Sequence, residues 1–214
     1  LLLLEKILGR HVGIAMENPT YKRAYRIFES FAYRIFTVDM DDKGMRSDRL
    51  AELPARVAYV MPSHQYPTGA VMTIGRRAEL LRWAEKEPDR YLIEDDYDSE
   101  FRYRGKPIPS LQSSDEKGKV IYIGTFSKAI APAIRVSYMV LPGELLDVYR
   151  RECSFYSCTV SRIDQRILNE FIRDGYFERH LNRMRSVYRG KHDCILELLS
   201  PWKDCTCDGY SAGL

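Results

Sequence analysis

The sequence has no long apolar run and almost no surplus of charge. It opens with the leucines Leu1 to Leu4, but no uninterrupted apolar stretch approaches the roughly 20 residues that a membrane-spanning helix needs. Lysines and arginines number 33 against 30 aspartates and glutamates, so the net charge is only +3. Because nucleic-acid-binding domains concentrate basic charge on one face, this balance argues against a dedicated nucleic-acid surface in this chain. No signal-peptide pattern surrounds the leucines, and we expect a cytoplasmic protein with no membrane contact.

Cysteines are few, odd in number and confined to the second half of the chain. Cys205 and Cys207 are spaced C-x-C, whereas zinc and redox sites favour C-x-x-C. We therefore expect reduced thiols in a cytoplasmic protein rather than a disulfide framework or a metal site. The chain also lacks internal repeats, low-complexity segments and the phosphate-binding pattern G-x-x-x-x-G-K-[ST].

Short apolar segments alternate with amphipathic stretches along the first two thirds of the chain. The segments predicted as strands are residues 11–16, 34–38, 57–61, 91–94, 120–124 and 136–141. Their β-branched and aromatic content is typical of buried strands in a largely parallel sheet. Residues 20–32 and 73–87 have helical spacing, and Thr73 is placed to cap the second of these helices. This alternation predicts an α/β layered domain.

Beyond Pro142 the pattern is helical, over residues 144–151, 161–173 and 176–199. The last of these helices is long enough to link two domains. We therefore predict a large domain over residues 1–175, an interdomain helix over 176–199 and the start of a second, incomplete domain over 200–214. The chain begins inside an apolar segment without a methionine, so we expect it to be an internal fragment of a longer protein.

Three segments that follow predicted strands carry chemistry, because ligands of parallel sheets bind beyond the carboxyl ends of the strands. The first places four acids within five residues: Glu94, Asp95, Asp96 and Asp98. Such a cluster could hold Mg²⁺ or a cationic ring nitrogen. Taken alone, a solvated acidic turn explains it as well.

The second segment is Gly-Thr-Phe-Ser-Lys at residues 124–128, and the third is Pro-Ser-His-Gln-Tyr-Pro-Thr-Gly at residues 62–69. Hydroxyl residues beside Lys128 indicate an anion site that contains an amine, and Arg135 could bind a phosphate bidentately. A lysine in a partly buried pocket has a lowered pKa and becomes a nucleophile. The alternatives are a surface lysine and arginine, and for residues 62–69 an ordinary strand-to-helix connection.

Taken together, these motifs resemble the fold-type I pyridoxal-phosphate enzymes of the aspartate aminotransferase superfamily. The wording of residues 62–69, 93–101 and 124–128 is most similar to the aminotransferase-like domain of MocR/GabR-type transcriptional regulators of the GntR family. The resemblance covers nearly the whole chain. It implies a three-layer α/β fold with a mostly parallel sheet, the large domain of that superfamily, followed by a long helix into an incomplete small domain. It also implies a homodimer with the site at the subunit boundary.

The resemblance assigns pyridoxal 5′-phosphate as the cofactor and gives three residues roles on its ring. Lys128 would form the internal aldimine with the cofactor aldehyde and would shuttle a proton if transamination occurs. Asp95, which precedes Lys128 by 33 positions, would pair with the pyridine nitrogen. Tyr97 would hydrogen-bond the ring oxygen.

Further residues would hold the phosphate, the ring face and the substrate. The resemblance assigns the phosphate to Thr125, Ser127 and Arg135. Tyr21 falls where the family stacks an aromatic ring on the cofactor, although a core tyrosine is the alternative. Arg23 is a candidate for the substrate carboxylate, and a solvated helix arginine is the competing interpretation.

One position departs from the aminotransferase pattern. Tyr66 stands before Pro-Thr-Gly, where the enzymes have an asparagine that contacts the ring oxygen. A phenol cannot duplicate the paired donor and acceptor of a carboxamide. The departure weakens the case for an efficient aminotransferase and fits the regulator-type loop.

Three hypotheses follow. In the first, the parent protein is a regulator that binds DNA through an N-terminal domain absent from this chain, and it senses a small amine or amino acid by aldimine exchange at Lys128. In the second, the chain belongs to a catalytic aminotransferase that moves an amino group between an amino acid and a 2-oxo acid. In the third, it is an α/β domain with a decayed site, which the joint presence of Lys128, Asp95, Tyr97 and Arg135 argues against.

Overall fold

The computed structural model describes residues 1–9, 11–103 and 108–202. In the described part, seven strands form one sheet in the order β3-β2-β1-β4-β5-β6-β7. Their bounds are β1 Gly13–Asn18, β2 Arg34–Asp41, β3 Gly44–Met45, β4 Val57–Val60, β5 Tyr91–Asp96, β6 Val120–Thr125 and β7 Ser137–Val140. All six predicted strands are confirmed. The two-residue β3 was not predicted, because so short a strand carries no period of its own.

The helices are α1 Leu2–Leu8, α2 Lys22–Ser30, α3 Ser47–Ala51, α4 Ile74–Glu85, α5 Phe126–Ala129, α6 Gly143–Cys153, α7 Arg162–Arg173 and α8 Tyr176–Leu199. The five predicted helices are α2, α4, α6, α7 and α8. The Thr73 side chain accepts a hydrogen bond from the backbone N–H of Arg76 at 3.3 Å, which confirms the predicted cap of α4. The unpredicted helices α1, α3 and α5 are all of seven residues or fewer.

The sheet is parallel except at its two edges, where β3 and β7 run antiparallel to their neighbours. Strand β1 pairs with β2 on one side and with β4 on the other. The chain therefore reverses its direction of winding across the sheet at β1. In parallel α/β sheets this reversal opens a crevice at the carboxyl ends of the two central strands, which is where ligands bind.

The core lies in two layers, one on each face of the sheet. Alternate strand residues such as Val57 and Tyr59 pack with helices α1, α2 and α6. Their neighbours Ala58 and Val60 pack with α3 and α4 on the opposite face. Because successive strand side chains point to opposite faces, each strand serves both layers. The predicted three-layer α/β fold is confirmed.

Helix α8 packs against the segment that follows β5. Leu181 is buried with Phe101, Tyr103 and Ala129, and the Arg185 Nε donates to the carbonyl of Glu100 at 2.7 Å. Most of the start of the predicted second domain, together with Cys205 and Cys207, lies outside the described residues. Within the described part, none of the helices is both long and apolar enough to cross a membrane.

A buried arginine ties the loop after β4 to the sheet. The Arg77 guanidinium donates to the carbonyls of Pro62, Met72 and Pro109 at 2.8, 3.2 and 2.8 Å, and its Nη1 lies 3.8 Å from Oε1 of Glu94. Burial lowers the pKa of Arg77 and raises the pKa of Glu94. The ion pair thus offsets part of the cost of burying each charge.

Replacing Arg77 with methionine should lower the free energy of unfolding by about 3 kcal/mol, because three carbonyls lose their donor and the buried Glu94 carboxylate loses its nearby positive charge. Urea unfolding followed by circular dichroism measures the change. The matched control is Arg49→Met, which breaks an exposed pair with Glu52 and should cost about 0.5 kcal/mol or less. Equal effects from the two substitutions would contradict this account.

Candidate functional site

The centre of the candidate site is a carboxylate at the end of β5. The Tyr59 hydroxyl, from the neighbouring strand β4, donates a hydrogen bond to Oδ2 of Asp95. Burial raises the pKa of Asp95, and the hydrogen bond from Tyr59 opposes that rise. Burial and the adjacent Asp95 also hold the pKa of Tyr59 well above its usual value, so the phenol stays a neutral donor. Tyr59 engages one carboxylate oxygen of Asp95, and in the described part of the chain no hydrogen bond engages the second.

The other acids of this run are buried rather than solvated. Glu94 is 0 % exposed and accepts the backbone N–H groups of Leu111 and Gln112 at 2.9 Å each. Asp96 is 6 % exposed, and its Oδ2 accepts hydrogen bonds from Ser99 and Tyr122 at 2.7 Å each. The acids thus have separate partners, and the described residues contain no cluster of three or more His, Cys, Asp or Glu side chains suited to a metal ion. The solvated-turn interpretation is wrong for this segment.

Tyr97 follows Asp95 by two positions and joins the site to the loop after β4. Its hydroxyl lies 3.2 Å from Nδ1 of His64, and the same nitrogen lies 2.9 Å from Oδ2 of Asp98. Burial, with the nearby carboxylates Asp98 and Asp95, raises the pKa of Tyr97. The Tyr97 hydroxyl therefore keeps its proton and can donate a hydrogen bond.

Lys128 lies in α5, the single helical turn that follows β6. Its Nζ is 5.9 Å from the centroid of the Tyr97 ring, which places the amine beside the residues that end β5. The structure leaves the Lys128 side chain exposed in this chain by itself. In the described part of the chain nothing buries this side chain, so these residues alone do not form the partly buried pocket considered for Lys128.

The proposed phosphate residues stand where β6 meets the antiparallel strand β7. The Thr125 side chain caps α5 by accepting from the N–H of Ser127 at 3.2 Å and donates to the carbonyl of Val136 at 3.2 Å. Because Thr125 is hydrogen-bonded to Val136, the preceding residue Arg135 lies close to Thr125. Arg135 is exposed and adopts a φ of 50°, a left-handed conformation that is uncommon for a residue with a side chain and clusters at ligand sites.

Two tyrosines meet at the mouth of the crevice. The rings of Tyr21 and Tyr66 are in edge-to-face contact, with centroids 5.7 Å apart. Tyr66 is 52 % exposed, and Tyr21 packs partly against the core. Arg23 is exposed on α2, and in the described part of the chain no hydrogen bond or ion pair holds it. Both interpretations of Arg23 stay open.

Sequence reasoning missed three residues of this site: Tyr59, His64 and Glu17. Glu17, at the end of β1, is 1 % exposed, and its Oε2 accepts the backbone N–H of Met61 at 3.4 Å. Burial raises the pKa of Glu17 from its ordinary 4.5 to about 8. Glu17, four residues before Tyr21, and the histidine at position 64 were visible in the sequence, but their partners come from other segments of the chain.

The donor set fits the cofactor that the resemblance implies. A buried carboxylate and a neutral phenol stand at the end of β5, and a primary amine lies beside the ring of that phenol. These are the groups that the ring nitrogen, ring oxygen and aldehyde of pyridoxal phosphate require. The Ser127 hydroxyl and the Arg135 guanidinium, with Thr125 beside them, are groups that suit a phosphate.

Comparison with known proteins places these features in a family. The family model described as aminotransferase class I and II matches residues 2–211. The chain is 45 % identical over 195 residues to the uncharacterised HTH-type transcriptional regulator YdeL of Bacillus subtilis, covering 91 % of this chain and 42 % of that protein. It is 35 % identical over 203 residues to the probable rhizopine catabolism regulatory protein MocR of Rhizobium meliloti, covering 93 % and 41 %.

Among solved structures, the kynurenine aminotransferase of Pyrococcus horikoshii superposes with a TM-score of 0.86 at 29 % identity, covering 99 % of this chain and 56 % of that one. The chain thus spans about two fifths of the length of the two curated relatives and about half of the solved structure.

Replacing Glu17 with glutamine should flatten the pH dependence of stability. A buried acid whose pKa is raised to about 8 stabilises the fold below its ordinary pKa, and this contribution is lost as the pH rises through about 8. Between about pH 4.5 and pH 8, the free energy of unfolding of the wild type should therefore fall by up to about 1.4 kcal/mol per pH unit relative to Glu17→Gln. Chemical unfolding at a series of pH values measures the difference.

The matched control for that comparison is Glu29→Gln, at an exposed position on α2. It should follow the wild-type curve within about 0.5 kcal/mol at every pH. A Glu17→Gln curve parallel to wild type would show that Glu17 does not titrate in this window.

Proposed function

Because the chain belongs to the class I and II aminotransferase family, we propose that it is the cofactor-binding part of a MocR/GabR-type transcriptional regulator. In this proposal it holds pyridoxal 5′-phosphate and senses a small amine or amino acid through Lys128. The observation that carries the proposal is the juxtaposition of a buried Asp95, a neutral Tyr97 and the Lys128 amine at one edge of the sheet. The similarity to HTH-type regulators over more than nine tenths of the chain supports the regulatory context.

Each residue has a distinct task in this proposal. When bound, the cofactor supplies an aldehyde open to attack by amines and a protonated ring that withdraws electrons. Asp95 holds the proton on the ring nitrogen, and Tyr59 keeps that carboxylate in place. Tyr97 donates to the ring oxygen, and Tyr21 covers one face of the ring.

Sensing requires only an exchange of amines. Lys128 would hold the cofactor through a carbon–nitrogen bond, formed with loss of one water. An effector amine would take over that bond, and Lys128 would be released as a free amine. No oxidant or reductant is needed. The charge and position of Lys128 therefore change when the effector binds, which provides the differential contact that a conformational switch needs.

We further propose partners and domain boundaries for the parent protein. The parent protein is a cytoplasmic homodimer that binds DNA through an N-terminal domain, with a large domain over residues 1–175, an interdomain helix over 176–199 and the start of a small domain over 200–214. Exposure of Lys128, Arg135 and Tyr66 supports a second subunit over this edge. A site at a subunit boundary would bury the Lys128 amine, which is exposed in this chain by itself.

A catalytic aminotransferase is the second candidate. The likeness to the Pyrococcus horikoshii enzyme favours it, and Lys128 is placed to move a proton once its amine is released. Tyr66, where the enzymes have asparagine, favours the regulator.

Replacing Lys128 with alanine should abolish covalent cofactor attachment. The full-length product of the gene is mixed with pyridoxal phosphate and reduced with borohydride, and peptide mass spectrometry then locates the adduct. The matched control is Lys119→Ala. That residue also carries its amine over a tyrosine ring, 5.3 Å from the Tyr91 centroid, but it lies before β6 rather than after it. An adduct that survives in Lys128→Ala would overturn the assignment.

Two observations distinguish the candidate functions: the sequence upstream of the codon for Leu1, and the effect of an added amine on DNA binding. A regulator should have a winged helix-turn-helix upstream. Its affinity for DNA from its own promoter should change at least several-fold when an effector amine is added, and Lys128→Ala should lose that response. Gel-shift titration measures the affinity. Steady turnover of amino acids with 2-oxo acids, with no DNA binding, would establish the enzyme instead.

A further inference from the structure

The loop after β4 reaches the candidate site through a histidine. His64 lies in the Pro-Ser-His-Gln-Tyr-Pro-Thr-Gly segment, with its side chain 17 % exposed. Its Nδ1 is 2.9 Å from Oδ2 of Asp98 and 3.2 Å from the hydroxyl of Tyr97. Asp98 is 1 % exposed, and its other oxygen, Oδ1, has no hydrogen-bond partner in the described part of the chain. The Asp98 carboxylate thus depends on His64 for its compensation.

The protonation of Nδ1 in the His64 ring determines which group donates in its contacts with Asp98 and Tyr97. A carboxylate only accepts hydrogen bonds, so Nδ1 of His64 has to carry a hydrogen where it faces Asp98. A protonated Nδ1 has no lone pair left, and the Tyr97 hydroxyl cannot donate to it. The Tyr97 hydroxyl oxygen can accept a bifurcated hydrogen bond from the same N–H. The proton of that hydroxyl then stays free for another acceptor. If Nδ1 were bare, Tyr97 would donate to His64 and would be lost to a ligand.

We propose that His64, fixed by Asp98, is a positioning residue that keeps the Tyr97 hydroxyl directed as a donor at the ring oxygen of the cofactor. This inference rests on the proposed function. It assigns to residue 64 part of the task that an asparagine at position 66 performs in the aminotransferase pattern. The segment after β4 keeps its link to the cofactor oxygen although Tyr66 cannot supply a carboxamide.

The test compares cofactor binding and cofactor absorbance in wild type and in His64→Phe, using the full-length protein and pyridoxal phosphate. A hydrogen bond donated to the ring oxygen favours its ionised form, so losing that bond raises the pH at which the lysine-bound cofactor changes colour. We expect His64→Phe to raise this midpoint by about one pH unit and to weaken cofactor binding about tenfold.

Two further variants separate positioning from general support of the fold. His64→Asn retains an N–H near the place of Nδ1 and should restore the midpoint. Asp98→Asn can donate to Nδ1 and so removes the reason for its hydrogen, and it should shift the midpoint as His64→Phe does. If His64→Phe fails to fold, as judged by thermal unfolding of the apo protein, these two variants decide the question.

The chain offers a matched control in His192→Phe. His192 on α8 also pairs with an aspartate through Nδ1, 3.1 Å from Asp193, and packs on the ring of Tyr103, but it lies away from the sheet edge. It should leave both the midpoint and the affinity unchanged.

Different results would overturn the proposed function and the role of His64. A wild-type protein that takes up no pyridoxal phosphate overturns the proposed function and this role with it. A wild type that binds the cofactor, with a His64→Phe midpoint equal to its own, overturns the role alone. Weaker binding in His64→Phe without any shift of the midpoint shows a structural role only and also overturns the inference.

Discussion

The burial of carboxylates at the end of β5 is the constraint on which the rest of the site depends. A buried carboxylate is costly unless donors compensate its charge, and β5 and the residues that follow it carry four such groups. Glu94 takes backbone N–H groups from the segment after residue 110, Asp96 takes a hydroxyl from β6, and Asp98 takes the ring of His64. Meeting these requirements fixes the neighbouring segments against the carboxyl edge of the sheet.

Strand geometry distributes the acids between two purposes. Successive side chains of β5 point to opposite faces, so Asp95 shares the face of Tyr59 while Glu94 faces the layer that contains α4. Glu94 and Arg77 hold the loop after β4, which is the loop that carries His64 and Tyr66. Glu94 thus positions the neighbouring loop, while Asp95 is hydrogen-bonded by Tyr59 through only one of its two carboxylate oxygens in the described part of the chain. The reversal of winding at β1 opens the crevice in which these groups meet.

The strands and the chemistry-bearing motifs were accessible from the sequence because both depend on local order. Apolar segments of fixed length predicted six strands, and the residues just beyond them predicted the edge at which Asp95, Tyr97 and Lys128 gather. The short elements β3, α1, α3 and α5 escaped prediction, since a few residues cannot display a period. The resemblance to fold-type I aminotransferases came from the same local motifs, and the family is confirmed.

The sequence by itself determined the order of the elements, the family and the residues proposed to bind a cofactor. Tertiary structure alone decided how those residues are partnered. Tyr59 meets Asp95 across 36 positions, and His64 meets Asp98 across 34. No local pattern encodes such pairings, because they arise from the register of neighbouring strands. The acidic run could be interpreted as a solvated turn until the sheet proved to bury it, and for Lys128 the sequence left both a pocket and a surface position open. Burial depends on what packs from elsewhere in the chain, and that is a property of the assembled fold.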